Sequence, residues 1–274
     1  MEAMHGKTVL ITGSTDGIGK QTAIELAGMG ATVLVHTRDE RSGAAAVREI
    51  RSEGGGKVVE LYTADFMQQR EVRHMAESVI AAHPTLDVLV NNAGVYMNTR
   101  VLTQDGVECT FAVNHIAAFL LTSLLLDLLR KSAPSRIITV TSAVHQNGST
   151  AFQEALEGKD FSPYGAYATS KLANIQFTLA LARRLSGTGV TANCLHPGVI
   201  NTKLLKAGFS STGKSLQEGA VTPVYLACSP DVAKVSGKYF VNRTVVRPSA
   251  QARDELMQER LWNLSERVAG LSPR

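Results

Sequence analysis

The chain has 274 residues and a formal net charge of +4, with 44% apolar and 19% charged side chains. This balance excludes an intrinsically disordered chain, and because no five or six basic residues stand together, it argues against a nucleic-acid or membrane-binding patch. The three cysteines are far apart and form no Cys-x-x-Cys pair, so we expect reduced thiols and no metal site at Cys109, Cys194 and Cys228.

Neither the amino-terminal residues nor the most apolar stretch is typical of a targeting or membrane segment. Residues 1–6 are too few and too polar for a signal peptide, since an apolar run begins at Thr8. Residues 116–129 are interrupted by polar side chains such as Asp127 and fall short of the roughly 20 apolar residues that cross a bilayer. We therefore expect a cytoplasmic protein without a membrane span, in which this stretch forms a core helix.

Short β-branched runs alternate with longer helical patterns along the chain, which is typical of βαβ units in a parallel sheet. Strands are predicted near residues 9–11, 32–35, 58–62, 88–90, 137–141, 191–195 and 238–241. Helical spacing is found in residues 17–28, 44–51, 71–82, 107–130 and 167–185. We therefore predict an α/β fold: a single Rossmann-type, doubly wound domain over residues 1–274, with about seven parallel strands and helices on both faces.

Two segments, residues 145–162 and 201–216, are predicted to be loops. Both follow strands at their carboxyl ends, where open α/β sheets bind ligands. The second segment is rich in glycine and serine, which is typical of a lid that orders over a substrate.

A glycine-rich turn joins the first predicted strand to the first predicted helix. Small residues at this place let backbone N–H groups and a helix N-terminus approach a pyrophosphate. The turn therefore predicts a dinucleotide site, and a purely structural turn remains the alternative. The candidate cofactor-binding residues are Gly13, Ser14, Thr15, Asp16, Gly17, Ile18 and Gly19.

The residue after the second strand indicates which dinucleotide is preferred. A site selective for NAD usually has an acid here to bind the ribose 2′-hydroxyl, whereas this chain has Arg38. A guanidinium can bind a 2′-phosphate through two parallel hydrogen bonds, so we expect NADP(H) to be preferred over NAD(H). The neighbouring Asp39 weakens this indication, and an ordinary exposed arginine is the alternative.

Tyr167 and Lys171 lie four residues apart in a predicted helix, so their side chains share one face. A free tyrosine has a pKa of about 10, so at neutral pH its phenol is almost entirely protonated and cannot accept a proton. A lysine charge about 4 Å away stabilises a phenolate by roughly 4 kcal/mol at an effective dielectric of about 20, which would lower the pKa of the phenol by about three units. We therefore expect Lys171 to lower the pKa of Tyr167, so that the phenol can exchange a proton with a substrate.

Spacing alone would leave a structural interpretation for this pair, but its surroundings favour chemistry. Ser142 follows the fifth predicted strand, so its hydroxyl emerges at the same sheet edge and can hydrogen-bond to a carbonyl oxygen. Asn114 lies in a long predicted helix and can hold a water that links Lys171 to solvent. Tyr164 is a rival phenol, but it has an alanine instead of a lysine four residues later.

From Lys7 to about Val241 the chain resembles the short-chain dehydrogenase/reductase family. The resemblance implies a catalytic tetrad of Asn114, Ser142, Tyr167 and Lys171, with Tyr167 and Lys171 also contacting the cofactor. The further cofactor contacts that it implies are Asp65 and Phe66 after the third strand, Asn92, Ala93 and Gly94 of an Asn-Asn-Ala-Gly element, Pro197, Gly198 and Val199 over the nicotinamide, and Thr202.

Within this family the chain is similar to the retinol-dehydrogenase-like members. The similarity rests on residues 170–174 and 195–198, on the Arg38-Asp39 pair and on the long insertion between Ser142 and Tyr167. It implies NADP(H)-dependent interconversion of an alcohol and an aldehyde or ketone, on a lipophilic or retinoid-like small molecule, by a homodimer or homotetramer. We expect this protein to lack the membrane anchor that many such relatives carry. An apolar pocket is expected from Phe152, Phe161, Leu204 and Phe209.

Two other functions remain as alternatives. A non-catalytic NADP(H) sensor could use the same fold, although a sensor has no chemical need for the four tetrad residues. A reductase of carbon-carbon double bonds could use the same residues, and substrate profiling separates it from a carbonyl reductase.

Overall fold

The computed structural model describes residues 3–55 and 58–272. A single sheet runs through this part of the chain, in the spatial order β3-β2-β1-β4-β5-β6-β7-β8. This is the doubly wound order, and the predicted fold class is confirmed. The strands are β1 (Thr8–Ile11), β2 (Thr32–Thr37), β3 (Val59–Thr63), β4 (Val88–Asn91), β5 (Ser135–Val140), β6 (Val190–His196), β7 (Tyr239–Val241) and β8 (Thr244–Val246).

The sheet has one strand more than the sequence analysis predicts. Strands β1 to β7 pair in parallel, whereas β8 turns back and pairs antiparallel with β7. Asn242 and Arg243 form the connecting turn with φ angles of 47° and 62°, the left-handed conformation typical of two-residue hairpin turns. All three residues of β8 are exposed, so no alternation of apolar and polar faces marks this strand in the sequence.

Helices cover both faces of the sheet because successive strand residues point to opposite faces. In β1, Val9 packs with α1, α2 and α9, whereas Leu10 packs with α3, α5 and α7. The helices are α1 (Gly17–Gly28), α2 (Glu40–Gly54), α3 (Gln69–Ala82), α4 (Cys109–Phe111), α5 (Ala117–Lys131), α6 (Phe152–Glu157), α7 (Pro163–Arg184), α8 (Lys203–Gly208), α9 (Leu216–Cys228), α10 (Ala250–Arg253) and α11 (Glu255–Val268).

The long helix predicted at residues 107–130 is interrupted near its start. A π-helical turn, Ala112–Ile116, separates α4 from α5 and contains Asn114. Such turns are rare and are frequently found at functional sites. The segment Cys109–Lys131 is long and apolar enough to cross a membrane, but 89% of its most apolar window is buried inside the protein, so here it is a core helix.

The two segments predicted as loops contain short helices. The first contains α6 and overlaps a 3₁₀ turn, Ala143–Asn147, and the second contains α8. Both segments lie beyond the carboxyl ends of β5 and β6. Strands β1 and β4 are neighbours here although they are far apart in the chain, so the strand order reverses between them and a crevice opens at their carboxyl ends.

Candidate active site

A cavity of about 760 Å³ lies at this carboxyl edge and is lined by most of the predicted site residues. A larger groove, of about 1290 Å³, lies near the start of β6 and beside β8, and none of the predicted residues lines it. The predicted residues that line the smaller cavity are Gly13, Thr15, Asp16, Gly17, Ile18, Arg38, Asp65, Phe66, Asn92, Ala93, Gly94, Ser142, Tyr167, Lys171, Pro197, Gly198, Val199 and Thr202.

Ser14 and Gly19, two predicted cofactor contacts, lie behind the cavity wall. The Ser14 hydroxyl is buried and donates to the Ile11 carbonyl oxygen at 2.8 Å. A Cβ atom on Gly19 would lie 2.5 Å from the Gly13 carbonyl oxygen and would also clash with the Asn92 amide. Both residues therefore shape the glycine turn and do not face the cavity.

Hydrogen bonds hold the glycine turn against the segment that follows β4. The Thr12 hydroxyl accepts from the backbone N–H groups of Asn92 and Ala93, each at 2.9 Å. In return the Asn92 amide donates to the carbonyl oxygens of Thr12 and Gly13, at 2.8 and 3.0 Å. Thr12 was missed in the sequence analysis because threonine is ordinary at a strand end, and only the pairing of β1 with β4 brings it beside Asn92.

The geometry of this turn fits a pyrophosphate. Gly13 and Gly17 have φ angles of +61° and +59°, which favour glycine. Helix α1 begins at Gly17 beside the cavity, and the Asp16 carboxylate accepts from the Gly17 N–H at 2.7 Å. The helix dipole favours a further anion at this end of α1. The Lys203 ammonium, on the rim of the cavity, forms an ion pair with Asp16 at 2.8 Å and so offsets the negative charge of that carboxylate beside the turn.

Arg38 follows β2, and Asp65 and Phe66 follow the neighbouring strand β3, so these three lining residues lie at one end of the cavity. Asp39, which weakened the indication for NADP(H), is engaged elsewhere: its carboxylate accepts from the Ser42 backbone N–H at 2.9 Å and caps α2. The part of the chain that the structure describes contains no ion pair to the exposed Arg38 guanidinium. Arg38 is therefore free to bind an anion at the cavity mouth.

Ser142, Tyr167 and Lys171 meet at the other end of the cavity. Tyr167 and Lys171 project from one face of α7, and the Lys171 ammonium nitrogen lies 5.4 Å from the centre of the Tyr167 ring. The ammonium donates to the Val140 carbonyl oxygen at 3.2 Å, and the Ser142 side chain hydrogen-bonds to the Tyr167 hydroxyl. A serine, a phenol and an ammonium thus surround one point where a substrate oxygen can bind.

Burial dominates the protonation of this group and corrects the sequence-based expectation for Tyr167. Desolvation raises the pKa of Tyr167 above its ordinary value, and the Ser142 hydrogen bond opposes this rise only partly. Desolvation also lowers the pKa of Lys171 to about 8, so the lysine charge itself is costly here. At neutral pH the phenol is therefore protonated and suited to act as an acid.

Asn114 does not line the cavity, because its side chain is hydrogen-bonded to other groups within the protein. The side-chain oxygen accepts from the Val95 backbone N–H at 2.7 Å, and the amide donates to the Val95 carbonyl oxygen and the Ser170 hydroxyl, each at 3.0 Å. Its backbone carbonyl accepts from the Asn174 amide at 2.8 Å. Asn114 thus anchors the loop after β4 to α7, and its role in holding a water stays a prediction.

Of the four residues expected in an apolar pocket, only Leu204 and Phe209 line the cavity. Phe152 belongs to a core cluster, and Phe161 lies outside the cavity. The spacing of aromatic residues along the chain could not separate these cases, because the fold of the insertion decides which ring faces the site.

Aromatic rings close over the reactive phenol. The Phe209 ring centre lies 6.1 Å from that of Tyr167, 5.5 Å from that of Tyr96 and 6.2 Å from that of Tyr164. Tyr96 also lies 5.6 Å from Tyr167. These separations are those of favourable ring pairs, so the segment after α8 places an apolar lid against the site.

The chain is similar to known proteins of one family. The family model described as short chain dehydrogenase matches residues 7–212. Over 292 aligned positions the chain is 41% identical to retinol dehydrogenase 14 of Mus musculus, which covers 98% of this chain and 87% of that protein. It is also 41% identical to retinol dehydrogenase 13 of Homo sapiens over 282 positions, covering 97% and 85%.

Solved structures share the same fold. An uncharacterised protein from Mycobacterium paratuberculosis superposes with a TM-score of 0.84 at 33% identity, covering 100% of this chain and 97% of that one. The RhlG/NADP complex of Pseudomonas aeruginosa superposes with a TM-score of 0.72 over 88% and 97% of the two chains, and at 24% identity this likeness shows the fold alone. From the family match, the relatives and the site, this chain belongs to the short-chain dehydrogenase/reductase family, is retinol-dehydrogenase-like, and is an oxidoreductase of the alcohol-carbonyl class.

Proposed function

We propose that the protein is an NADP(H)-dependent oxidoreductase that interconverts a lipophilic alcohol and the corresponding aldehyde or ketone. The observation that carries this proposal is the content of one cavity: Ser142, Tyr167 and Lys171 lie at one end and Arg38 lies at the other. The glycine turn lies on the wall of the same cavity, so an extended dinucleotide can reach both ends.

The preference for NADP(H) is supported by the charges at the cavity mouth. A carboxylate that could bind the 2′-hydroxyl of NAD is absent from the position of Arg38, and the nearby Asp39 carboxylate caps α2. A planar guanidinium binds a phosphate through two charge-assisted hydrogen bonds. We therefore assign the 2′-phosphate to Arg38.

The nicotinamide, when bound, supplies or accepts the hydride. The protein's own groups manage the substrate oxygen and its proton. The Ser142 and Tyr167 hydroxyls hydrogen-bond to the carbonyl oxygen, and Tyr167 donates its proton to that oxygen as the carbonyl becomes an alcohol. The Lys171 ammonium, 5.4 Å from the phenol ring centre, stabilises the phenolate that remains. In the oxidative direction the phenolate takes the proton back.

At neutral pH the protonation state of Tyr167 suits the reductive direction of the reaction. Burial raises the pKa of Tyr167, so the phenol holds its proton and can donate it to a carbonyl oxygen. Oxidation needs the phenolate at the start, and it is therefore expected to become faster as the pH rises.

An apolar substrate is supported by the side chains around the reactive end. Phe209, Leu204, Leu205 and Met97 line the cavity, and the aromatic lid covers the phenol. Apolar lining with a few polar groups at the reacting point is typical of a site that binds a lipophilic molecule and orients its oxygen.

The test is NADPH and NADH oxidation by the purified protein with a panel of aldehydes, ketones and quinones. The panel includes pairs of aldehydes of equal length, one ending in a methyl group and one in a carboxylate. We expect turnover with NADPH, faster than with NADH, and a clear preference for the methyl-ended member of each pair. A preference for the carboxylate-ended aldehydes contradicts the apolar substrate, and absence of any carbonyl reduction contradicts the reaction.

A further inference from the structure

His36 is a buried histidine in β2 that the sequence analysis did not single out. Its imidazole lies directly behind the glycine turn, and it is also one of the residues that line the cavity. We propose that His36 is a positioning residue for the dinucleotide, which fixes the glycine turn at one distance from the Asp65-Phe66 segment and so preforms the adenosine half of the site. This role rests on the proposed function, because it concerns the cofactor of that same site.

Two backbone hydrogen bonds carry the inference. The Gly13 N–H donates to His36 Nδ1 at 2.9 Å, and His36 Nε2 lies 3.0 Å from the Ala64 carbonyl oxygen. Because a backbone N–H can only donate and a carbonyl can only accept, Nδ1 must be the acceptor and Nε2 must carry the proton. The ring thus has one neutral tautomer, and in it both ring nitrogens are used.

Those two partners belong to the two segments that the adenosine half must contact. Gly13 opens the glycine turn and has a φ angle of +61°, while Ala64 immediately precedes Asp65 and Phe66. One rigid imidazole spans the gap between these segments.

Besides these two hydrogen bonds, a ring contact and backbone hydrogen bonds hold His36 in place. It stacks on the Phe66 ring, with centres 4.0 Å apart and planes inclined by 19°. The backbone of His36 is tied to Ser14, since its N–H donates to the Ser14 hydroxyl at 3.2 Å and its carbonyl accepts from the Ser14 N–H at 3.1 Å. Only 4% of the residue is exposed, so a displaced ring has no other place to go.

Preorganisation gives this arrangement a functional consequence. Without the imidazole, the Gly13 N–H and the Ala64 carbonyl lose their partner, and the turn and the Asp65 segment must be ordered when the dinucleotide binds. The free energy needed to order these segments lowers the affinity for the cofactor. His36 touches no atom at the Tyr167 end of the cavity, so the chemical step of the bound complex is expected to be unchanged.

The test uses three variants and a matched control. H36N keeps an amide oxygen near the position of Nδ1, H36Q keeps an amide nitrogen near the position of Nε2, and H36L keeps neither. The control is H83Q, because His83 also hydrogen-bonds to two polar groups, the Tyr62 hydroxyl and the Glu60 carboxylate, both through Nε2, but does not line the cavity. Dissociation constants are measured for NADPH by its fluorescence and for adenosine 2′,5′-bisphosphate, a probe of the adenosine half, by competition. The unfolding midpoint of each protein is recorded without ligand.

We expect H36L to bind both NADPH and the bisphosphate roughly 5 to 30 times more weakly, the range that corresponds to one or two lost hydrogen bonds. H36N and H36Q are expected to fall between H36L and the unaltered protein, and H83Q is expected to match the latter. Should H36L fail to fold, H36N and H36Q carry the comparison. A lower unfolding midpoint with unchanged dissociation constants overturns the positioning role, as does weaker NADPH binding with unchanged binding of the bisphosphate. If the unaltered protein binds neither NADPH nor NADH, the proposed function fails and this role fails with it.

Discussion

The Lys171 ammonium nitrogen lies 5.4 Å from the centre of the Tyr167 ring, one helical turn away on α7, and both side chains are buried. At this distance the lysine can stabilise a phenolate when one forms, but in the folded protein burial keeps the phenol protonated. The pair is therefore set to donate a proton first and to stabilise the resulting charge afterwards.

Replacing Tyr167 by phenylalanine removes the proton donor and keeps the ring. We expect kcat for carbonyl reduction to fall by a factor of about 10² to 10⁴, the usual contribution of a general acid. The ring contacts with Tyr96 and Phe209 are kept, so the dissociation constant for NADPH should change by less than about threefold. Steady-state rates and a fluorescence titration check the two parts. Undiminished kcat in Y167F would show that another group supplies the proton.

Lys171 should make the stability of the protein depend on pH. Burial lowers its pKa from 10.5 to about 8, so between these values the unfolded chain holds a proton that the folded protein has released. The free energy of unfolding therefore rises with pH from about 8. Above about pH 10 the raised pKa of Tyr167 acts in the opposite direction, because the folded phenol keeps a proton that the unfolded one loses.

Urea denaturation between pH 7 and pH 10 tests this dependence, with K171M as the matched variant. Between pH 7 and pH 10 we expect Lys171 to raise the free energy of unfolding by about 2 to 3 kcal/mol, and we expect K171M to lack this rise. Other titrating groups affect both proteins equally, so the difference between them is the informative quantity. Identical pH profiles for the two proteins would contradict the assigned pKa.

Arg38 should decide the choice between NADPH and NADH. In R38Q the guanidinium is lost, and hydrogen bonds to charged groups are worth about 1.5 to 3 kcal/mol, so NADPH should bind roughly 10 to 150 times more weakly. NADH, which has no 2′-phosphate, should be little affected. R41Q is the control, because Arg41 is an exposed arginine three residues along that does not line the cavity. An equal loss of affinity for both dinucleotides would argue against the assignment of the 2′-phosphate.

Ser142 should influence both the rate and its pH dependence. Its hydrogen bond to Tyr167 lowers the pKa of the phenol, so S142A should raise that pKa further. We expect kcat to fall by about 10²-fold, the scale seen when one donor to a developing oxyanion is removed. The alkaline rise of the oxidation rate should also move to higher pH. A lower kcat with an unmoved pH profile would mean that Ser142 binds the substrate oxygen without affecting Tyr167.

The features that the sequence predicted well are those set by local geometry. The alternation of strands and helices gave the fold class, and the end of β5 and the spacing of four residues on α7 brought Ser142, Tyr167 and Lys171 together. Strand β8 was missed because it has three exposed residues and no pattern of its own.

The features that the sequence did not predict depend on contacts between distant segments. Asn114 turns to Val95 because a π-helical turn and the loop after β4 meet there. His36 reaches Gly13 and Ala64 only because β2 is flanked by β1 and β3. The expected fall in the pKa of Tyr167 took account of the lysine charge alone, whereas the protonation of a buried group also depends on how much water the fold removes.

The central claim is that this cavity transfers hydride to a carbonyl carbon while Tyr167 supplies the proton. Its most direct test is turnover with NADPH that carries deuterium at the transferable nicotinamide position and a lipophilic enal, a substrate with both a carbonyl group and a carbon-carbon double bond. We expect one deuterium on the carbinol carbon of the product, detected by mass spectrometry, and at least about a hundredfold less of this labelled product in the same time with Y167F. Deuterium on a former alkene carbon, or NADPH that binds but never transfers its label to any carbonyl of the panel, would contradict this claim.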